Sequence, residues 1–340
     1  MCYQSPRVNG LGDRVRAGAM DRARAEAIVN QYGRTPLDYF KLWPDKSHYF
    51  SPSGQSVIAY RASCSVAVSL GDPVGPVDEI EPLIQSFLRF SAAHGRRAAF
   101  HQVLPDFLPM YRRSGLCVLK IGEEAMVDLE RFAMRTVRLP IFRKPRRRLG
   151  AKGYRVTREP APHAESVLDE AEEVSREWLS LPGRRERTFV LGRFDRGYLA
   201  QHPLVAVRDP AGRLAAFANQ VPGIQPGVAT VDLMRHRRET PNGLMDYLFS
   251  ELMLVVRGEG YRWFSLGLAP LAGVAEKPGA GLAERAVRKV YEHSTRFSFK
   301  GLRSYKAKFE PEWQERFLVY QHGWPGLLRT ALALGSITRG

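Results

Sequence analysis

The chain has 340 residues, is 44% apolar and 10% aromatic, and so can bury a core of about two domains. With 25% charged residues it is not a disordered chain, and a formal net charge of +16 points to polyanionic partners, nucleic acid or anionic lipid surfaces. Cys2, Cys64 and Cys117 have neither metal-ligand spacing nor the even count of a disulfide framework. No stretch has the roughly 18 apolar residues of a spanning helix, and the start lacks a signal-peptide core. The expectation is a cytoplasmic chain peripherally associated with the inner face of a membrane.

Residues 1–20 lack periodicity and read as a flexible arm, and 21–32 as a short helix. Strand-like runs follow at 47–50, 57–61 and 65–70, the first two joined by the turn Ser51-Pro52-Ser53-Gly54. Gly71-Asp72-Pro73-Val74-Gly75-Pro76 ends the third. Ile80, Leu83, Ile84, Phe87 and Leu88 then recur at helical spacing over 77–94, and 98–104 reads as a strand. The second half repeats the plan. A strand at 154–157 and a helix at 164–179 precede a hairpin of 204–207 and 214–220 around Asp209-Pro210-Ala211-Gly212. Residues 228–234 form a strand, 236–243 a polar loop, 244–257 a helix and 263–268 a strand. Segments 65–104 and 228–268 thus share one order: strand, loop, helix, glycine stop, strand. This predicts an α/β (α+β) chain of two similar units rather than one large sheet, divided as 1–20, 21–150 and 151–340. The basic run Arg143-Lys144-Pro145-Arg146-Arg147-Arg148 precedes the boundary at 150–153. Residues 324–338 form an apolar, amphipathic end that either packs on the domain or docks on lipid.

Several strings, taken together, resemble the cytosolic catalytic domain of the phosphatidylglycerol lysyl/alanyltransferases. They are Ser69-Leu70-Gly71-Asp72-Pro73-Val74-Gly75-Pro76, Leu191-Gly192-Arg193-Phe194-Asp195, and Val231-Asp232-Leu233-Met234-Arg235. Further on come Pro241-Asn242-Gly243 with Met245-Asp246, Tyr261-Arg262-Trp263-Phe264-Ser265-Leu266-Gly267, and Gly301-Leu302-Arg303 through Lys306, Lys308, Phe309 and Pro311. The resemblance runs from about residue 36 to 320. It implies two tandem acetyltransferase-like (GNAT) units, each a mixed twisted sheet flanked by helices, with catalysis in the second. It also implies aminoacyl-tRNA as donor and the glycerol hydroxyl of phosphatidylglycerol or a related lipid as acceptor, with lysine or alanine carried. The large N-terminal membrane domain of many members has no counterpart here, which predicts no flippase role and leaves a separate membrane protein open as a partner.

An aminoacyl ester is already activated, so the transfer calls for no cofactor and no metal, only aminoacyl-tRNA as co-substrate. It needs juxtaposed substrates, an oxyanion stabiliser and a group for the hydroxyl proton. Asp232 is the candidate base or amino-group ligand, and Arg235 the candidate phosphate or tRNA ligand; the alternative is a surface ion pair. Residues three apart on a strand face opposite ways, so both serve one site only if the strand ends between them. Residues 302–309 alternate as a late strand, placing Lys306 and Lys308 on one face to grip phosphate or oxyanion, against Tyr305 and Phe309; a solvated strand face is the alternative. Arg193, Arg303, Asn242, Gly243, Asp246 and Glu251 are candidate substrate-binding residues, the two acids as readers of a cationic amino acid. Arg143, Lys144, Arg146, Arg147 and Arg148 are candidate contacts for the tRNA backbone or lipid headgroups.

Two other readings stay open. An acyl-CoA-dependent N-acetyltransferase would need a Gly-x-Gly phosphate loop at a helix start. Neither central loop has one, and the match at Arg7-Val8-Asn9-Gly10-Leu11-Gly12 has no strand before it. A non-catalytic, basic tRNA- or membrane-binding module would keep the fold without the chemistry.

Overall fold

A computed structural model describes residues 11–190, 192–221, 224, 227–274 and 299–339. Helix α1 (Leu11–Tyr32) and a 3-10 helix (Pro36–Leu42) lead into β1 (Ser47–Phe50), β2 (Val57–Ser63) and β3 (Val66–Leu70). Then come α2 (Val77–Ala93), β4 (Arg97–Val103), α3 (Leu108–Arg113), β5 (Cys117–Asp128), α4 (Leu129–Met134) and α5 (Pro140–Ala151). The second half holds β6 (Arg155–Glu159), α6 (Glu165–Leu179), α7 (Arg196–Ala200), β7 (Leu204–Arg208), β8 (Leu214–Val221) and β9 (Val228–His236). It closes with α8 (Leu244–Gly258), β10 (Trp263–Pro270), α9 (Phe299–Ala307), β11 (Glu312–Tyr320) and α10 (Gly323–Ile337).

The repeated plan is present. β3 and β4 are parallel and joined through α2, and β9 and β10 are parallel and joined through α8, each helix covering the sheet it crosses. The expectation of two separate sheets does not hold. All strands belong to one eleven-stranded mixed sheet in the order β1-β2-β3-β4-β11-β5-β10-β9-β8-β7-β6. The units exchange their last strands: β5, which ends the first, lies against β10, and β11, which ends the second, lies between β4 and β5. The division at 150–153 therefore assigns β11 and α10 by sequence to one unit and in space to the other, because strand pairing reaches past chain order.

Two local expectations also change, and the basic run gains an element. Residues 11–20 belong to α1 rather than to a loose arm, while 1–10 (with Arg7 to Gly10 of the glycine match) and Leu191 lie outside the described residues. The basic run is helix α5, begun by Pro140 and anchored by buried Phe142 and Leu149. Residues 302–307 are helical, not strand: Tyr305 and Phe309, four apart, pack together into the α8-side core, which decides period 3.6 over period 2.

Helices cover both faces of each half. Val205, Val207, Ala216, Ala218, Ala229 and Val231 pack with α5 and α8, while Leu204, Ala206, Phe217 and Leu233 pack with α6 and α7. In the first half α2 and α3 cover one face, and the 3-10 helix with α10 the other.

Candidate active site

β9 and β10 pair only from Val228 to Thr230 and Trp263 to Ser265. β9 then continues to His236 along β8, and β10 to Pro270 along β5, so the two parallel strands fork. At the throat, Thr230 Oγ1 donates to the Ser265 carbonyl at 2.9 Å. The equivalent pair in the first unit stays closed: β3 and β4 pair throughout, and Gly71 N extends the ladder to His101 O at 2.7 Å. Among the described residues, only the second unit opens its sheet.

Asp232 stands on the β9 arm, 5% exposed. Its carboxylate accepts the Gly192 amide at 2.8 Å and the Tyr198 hydroxyl at 3.0 Å, and that hydroxyl accepts from Asn219 Nδ2 at 3.0 Å. Burial raises the Asp232 pKa to about 6, against the lowering effect of these two donors and of Arg235. A side chain at Gly192 would put Cβ 2.0 Å from Asp232 Oδ2, so the covering loop can approach the carboxylate only through glycine. Trp43 of the first unit packs on Tyr198 at 4.6 Å, and Tyr39 Oη meets His202 Nε2 at 2.6 Å, so both units wall this site.

The strand does not end between Asp232 and Arg235, yet both lie toward α6 and α7. Ala218 pairs with Met234 and Gln220 with Val231, so Asp232 and Leu233 together oppose Asn219 in a β-bulge. The extra residue shifts the alternation by one and restores both side chains to one face. Arg235 is 3% exposed; it donates to Ser175 Oγ at 2.9 Å and Glu186 at 2.7 Å, and lies 4.7 Å from the Trp178 ring. Its guanidinium thus ties β9 to α6 and to the loop over Asp232.

Lys306 meets the other arm. From α9 its ammonium donates to the carbonyls of Gly267 at 2.9 Å and Leu268 at 2.7 Å, where β10 bulges against β5. Burial lowers its pKa to about 8, with Glu124 acting the other way. Behind it, Glu124 accepts from both Ser265 Oγ and Arg316 Nη2, and Ser265 Oγ accepts the Gly267 amide at 3.1 Å.

The remaining candidates are placed apart from the fork or already engaged. Lys308 does not share a face with Lys306: it follows the end of α9 and reaches Asp246 at 3.4 Å, because a helix separates residues two apart. Arg303 pairs with Glu123 at 3.1 Å over the Trp313 ring. Glu251 accepts Arg146 Nε at 2.6 Å, and the Asn242 carbonyl accepts Arg148 Nη2. Gly243 starts α8 at φ +79°, where a Cβ would meet Pro145 at 3.1 Å, so Asn242-Gly243 docks α8 on α5. Arg193 is exposed, as are Arg143, Lys144, Arg147 and Arg148, which leave a basic outer face on α5.

Sequence reasoning missed Tyr198, Asn219, Glu124 and Arg316. Asn219 carried a signal, as a polar residue inside the apolar run of β8; Tyr198 carried none, since only the fold brings α7 to β9.

The sheet, its two strand–helix–strand units and the fork between β9 and β10 define a mixed α/β protein with one large sheet flanked by helices. FemX shares this fold at a TM-score of 0.59 and 11% identity, over 92% of this chain and 98% of FemX. Residues 26–320 match the family described as phosphatidylglycerol lysyltransferase, C-terminal, and the chain belongs to it. Similar solved structures include a C-terminal domain (DUF2156) from Agrobacterium fabrum, with TM-score 0.83 and 33% identity over 95% of this chain and 98% of that one. L-PGS from Bacillus licheniformis gives 0.79 and 30% over 92% and 95%. The phosphatidylglycerol lysyltransferase of Staphylococcus epidermidis (strain RP62A) is 32% identical over 92% of this chain. That of Bacillus subtilis is 32% identical over 88%. The chain spans 37% and 35% of the length of these two curated relatives.

Proposed function

We propose that this chain is an aminoacyltransferase that moves the aminoacyl group of an aminoacyl-tRNA to a glycerol hydroxyl of phosphatidylglycerol. The names of the relatives favour lysine as the amino acid carried. The observation that carries the reading is the fork between β9 and β10, with Asp232 on one arm and Lys306 bound to the other.

In this reading the lipid hydroxyl oxygen attacks the ester carbonyl, and a carbon–oxygen bond to the glycerol forms. Asp232, ionised above its pKa of about 6, takes the hydroxyl proton. Lys306 commits two of its three N–H donors to the Gly267 and Leu268 carbonyls, which leaves the third for the tetrahedral oxyanion. The intermediate collapses with loss of the ribose oxygen of the tRNA, which receives the proton from Asp232. Arg235 acts as a positioning residue for the loop over the carboxylate. The basic outer face of α5 supplies the electrostatic attraction for the tRNA backbone, and the enzyme works peripherally at the membrane. Lysyl transfer turns an anionic lipid into a cationic one and so changes the surface charge of the membrane.

The test is label transfer from tRNA charged with radiolabelled lysine or alanine into phosphatidylglycerol vesicles. Label in the lipid phase that is lost with ribonuclease and with Asp232→Asn supports the reading. Transfer that survives Asp232→Asn, or no transfer from either tRNA, overturns it.

A further inference from the structure

Trp324, Leu328 and Leu332 stand four residues apart on α10 and are 48%, 62% and 66% exposed. At that spacing they form one stripe along the helix. The opposite side of α10 buries Thr330, Ala333 and Ile337, and Leu327 and Leu334 pack beside them on the first half of the sheet. The stripe is therefore surplus to the fold. Other exposed large apolar side chains among the described residues, Met20, Val77, Met134 and Ile141, occur one to a helix.

The charge along α10 itself has one sign. Arg329 is the single charged residue from Gly323 to Ile337, Arg339 follows it, and no carboxylate side chain occurs after Glu315. Trp324 at one end and arginines along the side make the pattern of an interfacial helix, whose apolar face enters the acyl boundary while its cations meet anionic headgroups.

The helix is also coupled to the site. Thr188 Oγ1 and Arg61 Nη1 both donate to the Ile337 carbonyl, at 2.8 and 3.1 Å, and Phe189 packs in the same cluster as Ala333 and Ile337. Four residues beyond Thr188, Gly192 donates to Asp232. Four residues span at most about 14 Å, so the residue that holds the inner end of α10 stands within that distance of the one that donates to Asp232.

We infer that the exposed face of α10 is a docking surface for a bilayer with anionic headgroups, which seats Trp324, Leu328 and Leu332 in the interface and sets the fork against the lipid surface. The inference gives a purpose to the lipid-acceptor reading and rests on it for that purpose; the docking itself is measured separately.

The experiment is flotation of the full chain with phosphatidylglycerol–phosphatidylcholine vesicles and with phosphatidylcholine vesicles alone. Alongside the wild type go Leu328→Gln/Leu332→Gln and the control Val77→Gln, each checked by thermal melting and by sedimentation for oligomeric state. The expected result is selective binding to the anionic vesicles, at least about tenfold weaker in the double variant and unchanged in the control. Transfer to short-chain, dispersed phosphatidylglycerol should survive in the double variant while transfer to vesicles falls. Vesicle binding within about twofold of wild type in the double variant overturns the docking, as does a wild-type dimer that the variant dissociates with vesicle binding unaltered. Stripe-dependent binding with no aminoacyl transfer to any lipid leaves the docking standing and removes the transferase reading.

Discussion

The side-chain oxygen of Asn219 accepts the backbone N–H of Leu233 at 2.7 Å, filling the gap that the bulge opens between β8 and β9. Its Nδ2 meanwhile holds the Tyr198 hydroxyl that donates to Asp232. One buried amide thus stabilises the bulge and aims the carboxylate. Asn219→Ala leaves the Leu233 amide without its partner, which costs about 2 kcal/mol. The transfer rate should fall with it. Urea unfolding and the vesicle transfer assay check the two effects separately.

Asp232 should be a liability for stability. Its pKa of about 6 in the fold exceeds the ordinary aspartate value of 3.8. The folded state therefore binds a proton more tightly between those values, and the penalty is full above pH 6 and disappears as pH falls through that window. Asp232→Asn is expected to stabilise the protein by about 2–3 kcal/mol at pH 8 and by almost nothing below pH 4, while abolishing transfer. Denaturant midpoints of both proteins across pH give the answer. A variant less stable than wild type at pH 8 would contradict the assignment. Because burial also raises Asp72 to about 6, the difference between the proteins, not the wild-type curve, is the readout.

Lys306→Met keeps the length of the side chain and removes the donors to Gly267 and Leu268. Transfer should drop by at least about 100-fold, in line with loss of an oxyanion donor. The rate of the wild type should also fall above pH 8 as the ammonium, with its pKa lowered to about 8, loses its proton. An unchanged KM beside the lowered kcat would place the effect in the chemical step.

Strand exchange makes the two units interdependent. Fragments 1–150 and 151–340 expressed alone should fail to fold, since β5 would lack both of its neighbours, β10 and β11. Co-expressed, they should reassemble. Circular dichroism and thermal melting distinguish the cases, and a cooperative melt of either fragment alone would argue against the exchange as a determinant of folding.

Reversing Arg143 and Arg147 to Glu on the outer face of α5 should weaken tRNA binding without altering the melt. The slope of log affinity against log salt should become shallower by about 0.7–0.9 for each phosphate that the variant no longer neutralises. Filter binding over a salt series measures it.

Much of the fold was legible, because most elements obey a simple period. β1 to β4, α2, α6 and β7 to β10 fall close to where the apolar pattern and the glycine stops place them. β5 did not reveal itself, although it is central to the sheet. Lys120, Glu123 and Glu124 interrupt its pattern, and their burial is matched by Lys120 pairing with Glu123 and Glu315 and by Glu124 pairing with Arg316; Glu315 and Arg316 are partners that no local pattern displays. Residues 302–309 misread as a strand because alternating polar and apolar residues fit a period of 2 over a short window as well as 3.6.

By itself the sequence determined the strand–helix–strand repeat, the family strings, the basic face of α5 and the apolar end that became α10, all carried by residues near one another along the chain. Only tertiary structure decided which strands neighbour which, that β9 and β10 part while β3 and β4 stay paired, and that a bulge turns Asp232 and Arg235 to one side. It likewise brought Tyr198, Asn219 and Trp43 to the carboxylate and gave Lys306 and Lys308 different partners. The physical reason is that side-chain periodicity is a local property, whereas strand pairing and the burial of charge depend on groups far apart in the chain meeting in space.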